Sequence, residues 1–160
     1  MTPTAVADAM LDQPHWSPTE ARNARIISDF VRRIMNEHDF ESVREQYRDS
    51  AYRQHSRGIA DGIPGLLENL AGLTKRFPEF SYDVKRVMVD GDLVTFHSHA
   101  TMRAKDRGDD RKGADIIDIW RVSEDGDIVE HWDAIQPLDA GMRLFVWLNG
   151  GKIRNTNGVF

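Results

Sequence analysis

The chain has 160 residues, the usual length of one domain, so a single hydrophobic core is expected. Hydrophobic residues make up 40% and charged residues 29%, which excludes a fibrous or fully disordered chain. The net charge of -5, with both signs interspersed, provides no electrostatic basis for binding nucleic acid or an anionic membrane. The absence of cysteine excludes disulfides and thiolate chemistry. Without a signal peptide or a long apolar run, the sequence predicts a cytoplasmic protein.

The first half of the chain predicts helices, which follow an N-terminal arm over residues 1–16. Residues 17–20 form a capping box with proline at the first helical position, and apolar residues recur at helical spacing to about residue 37. A shorter helix is expected after Asp39, and a third between Asp61 and the Phe77-Pro78 pair. A short strand is expected within residues 50–55.

The second half changes to the alternating pattern of strands. The predicted strands begin at residue 80, with a register adjustment before Val87, and continue over residues 93–102, 113–122 and 128–135. An α+β fold follows, in which an antiparallel meander wraps over the helices within a domain of residues 17–137. A C-terminal extension, residues 138–160, contains a predicted short helix whose apolar residues are expected to pack on the body or on a second subunit. Those residues are Met142, Leu144, Phe145, Trp147 and Leu148.

The last predicted hairpin gathers polar residues on one face. A two-residue turn centred on Asp125 and Gly126 sets its register. On one face this register pairs Glu124 with Asp127, Val122 with Val129, Trp120 with His131, Asp118 with Asp133 and Ile116 with Ile135. On the other face Arg121 lies opposite Glu130, and a slip of one residue would break this ion pair.

The preceding strand carries a second polar row, Thr95, His97 and His99, at alternate positions. We expect this row to converge with Asp118, Asp133 and His131 on one concavity, where facing carboxylates raise one pKa. The alternative is a purely structural polar network or a solvated face. Apolar neighbours on the same face favour a ligand-binding or catalytic pocket.

Several short motifs, in this order, resemble the SnoaL-like proteins of the nuclear transport factor 2 superfamily. They are Tyr52-Arg53-Gln54-His55, Ala60-Asp61-Gly62, Asp118-Ile119-Trp120-Arg121-Val122 and Glu130-His131-Trp132-Asp133. The ending, residues 155–160, is similar to the branch of predicted SnoaL-like aldol-condensation enzymes. The resemblance implies a cone-shaped fold with a curved sheet over N-terminal helices, a central pocket and a homodimer. In the polyketide cyclases of this family an Asp is the general base, without metal or cofactor; Asp118 matches it best, and His97 or His99 matches an assisting strand His.

The leading hypothesis is therefore cofactor-independent acid–base catalysis on a small carbonyl compound. Asp118 abstracts a proton alpha to the carbonyl, His99 or His131 donates to the enolate oxygen, and Asp133 orients His131 or tunes Asp118. Further residues are expected to line the pocket: Tyr52, His55, His97, Trp120 and Ile116.

Two alternatives of other classes stay open. One is a non-catalytic module that holds a small hydrophobic or carboxylic ligand. The other is a metal site built from His55, His97, His99 or His131 with an Asp, because imidazole and carboxylate suit zinc or iron. A homodimer is also expected because the face with Ile117, Ile119 and Trp132 is apolar.

Overall fold

The computed structural model describes residues 6–148, without the side chains of residues 142, 143, 145 and 146. The helices are α1 (Pro18–Val31, continued by a wider turn over Arg32–Glu37), α2 (Phe40–Gln46), α3 (Gly62–Arg76) and α4 (Ala140–Leu148). The strands are β1 (Arg53–Gln54), β2 (Ser81–Asp90), β3 (Leu93–Thr101), β4 (Ala114–Val122) and β5 (Ile128–Pro137). The predicted helices and strands are thus confirmed within the described part, whereas the ending of residues 155–160 lies outside it.

The start of α1 confirms the predicted capping box. The Ser17 side chain accepts a hydrogen bond from the Glu20 backbone N–H, and the Glu20 carboxylate accepts from the Ser17 N–H at 2.7 Å. These two bonds satisfy N–H groups that the first helical turn leaves without partners. The helical stretch ends at His38, whose left-handed backbone (φ 54°) stops the pattern before Asp39 caps α2.

The five strands form one open, curved sheet in the order β1-β5-β4-β3-β2. β1 pairs parallel to β5, and the other pairs are antiparallel. The helices α1 to α3 cover one face of this sheet, which we call the inner face; Phe30 of α1 meets Trp120 of β4 there, edge to face at 5.3 Å between ring centroids. Burial of apolar side chains between helices and sheet supplies the main stabilising free energy. The predicted α+β architecture is confirmed.

The β4–β5 hairpin has the predicted register but not the predicted turn. The Gly126 N–H bonds to the Ser123 carbonyl at 3.0 Å, so Glu124 and Asp125 occupy the centre of the turn, and Gly126 has a positive φ of 94°. Val122 consequently pairs with Ile128, and the predicted pairs Val122–Val129 and Glu124–Asp127 are wrong. Val129 is an extra residue in a β-bulge, which restores the predicted pairs from Arg121–Glu130 onward.

The segments at either end of the domain contact it differently. Val6 of the N-terminal arm is buried in the core, and Met10 and Leu11 pack against it. In α4 the side chains of Leu144, Trp147 and Leu148 are exposed in the single chain. The predicted packing of the C-terminal extension on the body or a partner stays a prediction. No helix among residues 6–148 is both long and apolar enough to cross a membrane.

Candidate functional site

The register of β3, β4 and β5 decides which polar residues face the helices. Directly paired residues point to the same face of a sheet. The inner face therefore contains three rows across β3, β4 and β5: Val94, Trp120 and His131; Phe96, Asp118 and Asp133; Ser98, Ile116 and Ile135. The polar set predicted from the last hairpin, namely Asp118, Trp120, His131 and Asp133, is brought together as expected.

Asp118 and His131 form the centre of this inner face. The Asp118 Oδ1 lies 3.0 Å from the His131 Nε2, and both side chains are only 3% exposed. The indole ring of Trp120 stacks on the imidazole, with centroids 3.7 Å apart and planes 19° apart. Burial raises the pKa of the Asp118 carboxyl; the hydrogen bond with His131 opposes this rise, and the nearby charge of Asp133 adds to it.

β1 brings a second set of side chains to His131. Because β1 pairs parallel to β5, Gln54 lies beside His131, and the Gln54 Oε1 is 3.1 Å from the His131 Nδ1. The Gln54 Nε2 donates to the Tyr52 hydroxyl at 2.9 Å. The Asp61 carboxylate, at the start of α3, accepts the Gln54 backbone N–H at 2.7 Å and so fixes this short strand.

Three buried polar atoms on the inner face have no hydrogen-bond partner within the described residues: the Asp118 Oδ2, the Ser98 Oγ and the Trp120 Nε1. A buried polar group without a partner is costly, and such groups mark the position of a ligand or an ordered water. Two phenols lie near the same carboxylate. Burial raises the pKa of Tyr82 and of Tyr52, and the negative charge of Asp118 raises both further.

The inner face becomes accessible towards the end of β5. Asp133 is half-buried, and Ile135, two residues further, is 58% exposed. Ile116, opposite Ile135 on β4, is buried. Asp133 therefore lies between the buried Asp118–His131 pair and the solvent-exposed end of the face.

Comparison with known proteins identifies the family. The SnoaL-like domain matches residues 27–131, which include β1, Asp118 and His131. The chain belongs to the SnoaL-like family. No curated protein is significantly similar in sequence to it.

Solved structures show the same fold as this SnoaL-like protein at low sequence identity. A candidate polyketide cyclase from Bacillus cereus is 23% identical with a TM-score of 0.61 and aligns over 84% of this chain and 85% of its own. A candidate isomerase of the SnoaL-like family from Agrobacterium tumefaciens is 14% identical with a TM-score of 0.56, over 72% and 97%. AclR, a candidate hydroxylase from Streptomyces galilaeus, is 18% identical with a TM-score of 0.58, over 84% and 89%. Because these three proteins are named for three kinds of reaction, the shared fold does not define the chemistry.

Three histidines of this SnoaL-like protein lie on the outer face of the sheet, opposite to the expectation. His97 and His99 pair with Ile117 and Asp115, so they point away from Asp118. His97 contacts Asp115 at 2.6 Å and Arg86 at 2.7 Å. The predicted convergence of His97 and His99 with Asp118 is wrong, and His99 is not placed to donate to a substrate there.

His99 and His55 have partners of their own on the outer face. The His99 Nε2 lies 2.8 Å from the Lys112 carbonyl, in the loop between β3 and β4. The His55 Nε2 contacts the Glu130 carboxylate at 2.8 Å, and its ring stacks on Trp132 with centroids 4.8 Å apart. The prediction that His55 lines the pocket is wrong because its neighbour in β1, Gln54, takes the inward position.

The metal hypothesis is not supported by this arrangement. His131 lies on the inner face, whereas His55, His97 and His99 lie on the outer face, so His131 cannot share an ion with any of the other three rings. Within residues 6–148, no group of three or more His, Cys, Asp or Glu side chains is placed to hold a metal ion.

Two cavities among the described residues lie outside the inner face. One of about 550 Å³ follows the exposed side of α3 and is lined by Glu68, Asn69 and Arg76, among others. The second, of about 330 Å³, lies beside Asp8 and Arg25. Neither is lined by Asp118 or His131, so the central pocket stays a prediction, supported by the three unpartnered polar atoms.

Sequence reasoning missed three residues near the site: Gln54, Ser98 and Tyr82. The parallel pairing of β1 with β5, which places Gln54, joins segments 77 residues apart and leaves no local signal. Ser98 had a usable signal, because Val94, Phe96, Ser98 and Ala100 form an apolar or small row on β3, and Tyr82 of β2 pairs with Ala100 of that row. Such a row is the expected pattern for the side that packs on helices.

Proposed function

We propose that this protein catalyses proton abstraction alpha to the carbonyl of a small molecule, with Asp118 as the general base and no cofactor. The observation that carries the proposal is the asymmetry of the Asp118 carboxylate. Its Oδ1 is held by His131, whereas its Oδ2 is buried without a partner among the described residues. A buried carboxylate with a raised pKa and one oxygen that has no partner among the described residues has the properties of a general base.

The proton balance of the step follows from the contact between Asp118 and His131. Two such atoms 3.0 Å apart share one hydrogen. When the Oδ2 lone pair takes the α-hydrogen, the C–H electron pair moves onto the carbonyl oxygen and an enolate forms. The α-hydrogen ends on the Asp118 Oδ2 and the shared hydrogen on the His131 Nε2, so the pair gains one positive charge, which balances the negative charge of the enolate. Opposite charges at close range in a buried site attract far more strongly than in water.

The enolate oxygen needs hydrogen-bond donors, and two atoms of the inner face supply them. The Trp120 Nε1 can only donate, and the Ser98 hydroxyl can donate. Both are buried without partners in the described part of the chain. We assign them the donor role that the sequence had suggested for His99 or His131. Asp133, nearer the exposed end of the face, raises the pKa of Asp118 and so favours its action as a base.

The same enolate leads to either of two reaction types. Attack on a second carbonyl closes an aldol, whereas return of the proton to another carbon gives an isomerisation. The names of the Bacillus and Agrobacterium structures, a candidate cyclase and a candidate isomerase, fit this division. Because both reactions pass through the enolate, the proposal is testable before the product is known.

The test is exchange of α-hydrogens for deuterium in D₂O, followed by NMR on a panel of small ketones and β-dicarbonyl compounds. At least one compound is expected to exchange faster with the protein than in buffer. The matched control is Asp115→Asn, since Asp115 is also on β4 and contacts a histidine, His97, but on the outer face. This control should keep the wild-type rate. Compounds that bind without exchanging would instead favour the non-catalytic binding module. If Asp115→Asn lost as much of the exchange rate as Asp118→Asn, the role of the inner face would be contradicted.

The proposed partner is a small-molecule substrate, in keeping with the SnoaL-like family. The homodimer and the cytoplasmic location stay predictions. Ile117, Ile119 and Trp132 are half-buried on the outer face of the single chain, as the predicted dimer contact would require.

A further inference from the structure

The side-chain amide of Gln54 has a fixed orientation. The Ser56 backbone N–H donates to the Gln54 Oε1 at 2.9 Å, a position that an amide nitrogen cannot take because it has no free lone pair. The Nε2 of the same amide then faces the Tyr52 hydroxyl at 2.9 Å. The oxygen that lies 3.1 Å from the His131 Nδ1 is therefore an acceptor.

This orientation fixes one hydrogen of His131. An acceptor facing the Nδ1 requires that this nitrogen carries a hydrogen. A neutral imidazole has only one N–H, so its Nε2 is then a bare acceptor, and it faces the Asp118 Oδ1 at 3.0 Å. The contact still needs one hydrogen between the two atoms. The Asp118–His131 pair accordingly carries two hydrogens, one on the Nδ1 and one shared, and has no net charge.

His97 provides the contrast. Its Nε2, like that of His131, faces a carboxylate oxygen, here of Asp115 at 2.6 Å. In His97 the Nδ1 also accepts from Arg86, which has no acceptor atom, so its hydrogen lies on the Nε2. His97 and His131 are thus expected to be opposite tautomers in the same protein.

We propose that Gln54 is a positioning residue that holds the hydrogen of His131 on the Nδ1 and thereby keeps the buried Asp118–His131 pair neutral. Without an acceptor at the Nδ1, a neutral His131 can place its single hydrogen on the Nε2 and donate it to an ionised Asp118. The pair would then carry a net negative charge in a buried position, which is costly. The consequence for catalysis rests on the proposed function: after proton abstraction the Gln54 Oε1 accepts from the imidazolium and stabilises it next to the enolate.

The test is imidazole NMR of the ¹⁵N-labelled protein without any substrate. Two-bond ¹H–¹⁵N correlations at neutral pH report which ring nitrogen carries a hydrogen, and the His131→Gln variant identifies the His131 signals. We expect a hydrogen on the Nδ1 of His131 and a hydrogen only on the Nε2 of His97, the internal reference. A bare Nδ1 in the wild-type His131 would overturn the proposal, and this outcome needs no variant to fold.

Two substitutions of Gln54 then separate its role from general packing. Gln54→Leu removes the acceptor and is expected to lose the Nδ1-bound hydrogen, which moves to the Nε2. Gln54→Glu keeps an acceptor oxygen, so His131 is expected to retain its Nδ1-bound hydrogen in this variant. Gln136→Leu, at an exposed position of the same strand as His131, should leave the spectrum unchanged. Retention of the Nδ1 hydrogen in Gln54→Leu would also overturn the proposal, whereas failed α-exchange with an unchanged tautomer would count only against Asp118 as a base.

Discussion

The Asp118→Asn variant is expected to be more stable than the wild type at neutral pH, with an advantage that shrinks as the pH falls. Burial raises the pKa of the Asp118 carboxyl in the folded state above its ordinary value of 3.8. Between these two pKa values the folded protein binds more protons than the unfolded chain, so the free energy of unfolding falls as the pH rises through this window. Each unit of pKa difference corresponds to about 1.4 kcal/mol.

An asparagine in place of Asp118 would avoid this loss of unfolding free energy at higher pH and would keep the hydrogen bond with His131. Its side-chain amide has nearly the shape of a carboxylic acid and can donate to the bare Nε2 of His131. The measurement is urea unfolding of both proteins from acid to neutral pH. The difference in free energy of unfolding, variant minus wild type, should grow as the pH rises from about 4. A difference that is constant with pH, or one that favours the wild type at neutral pH, would contradict a buried Asp118 carboxyl with a raised pKa.

The Trp120→Ala variant is expected to lose about 3–5 kcal/mol of unfolding free energy, the range for large aromatic side chains in a core. Trp120 has no exposed surface. Its ring packs edge to face on Phe30, stacks on His131 and lies 6.5 Å from the Tyr52 ring, so its removal leaves a cavity between helices and sheet.

Chemical denaturation of Trp120→Ala and Trp120→Phe tests this account of the core. Trp120→Phe keeps an aromatic ring at the same place and should cost clearly less. It removes part of the indole ring and an N–H that has no partner among the described residues, so no hydrogen bond to them is broken. A change in the free energy of unfolding of less than about 0.5 kcal/mol in Trp120→Ala is the level of surface substitutions. It would show that this ring does not join the helices to the sheet.

Local patterns in the sequence were sufficient to predict the elements and one half of the site. Capping signals and hydrophobic period located α1 to α3 and the strands. The turn expected at Asp125 and Gly126 predicted the register that brings Asp118 and His131 together, and the ion pair between Arg121 and Glu130 agreed with it. The error in the turn did not change this register, because the bulge at Val129 compensated for it.

The other half of the site was assigned to the wrong face on β3 and was missed on β1. β3 is buried on both faces: helices cover one side, and the loop that holds Lys112 reaches His99 on the other. On such a strand a row of polar residues does not identify the inward side. His97 and His99 were therefore assigned to the inner face although Ser98 lies there. Gln54 was missed for a different reason, since only the folded chain brings β1 beside β5.

The central claim is that Asp118 removes the α-hydrogen, and it is tested most directly by the rate of deuterium exchange in the Asp118→Asn variant. The compound is the one that exchanges fastest with the wild-type protein. General acid–base groups contribute about 10²–10⁴-fold to rates, so we expect a loss of that size, with the fold intact by circular dichroism. The Asp115→Asn control should retain the wild-type rate. Exchange at the wild-type rate in Asp118→Asn would contradict the account.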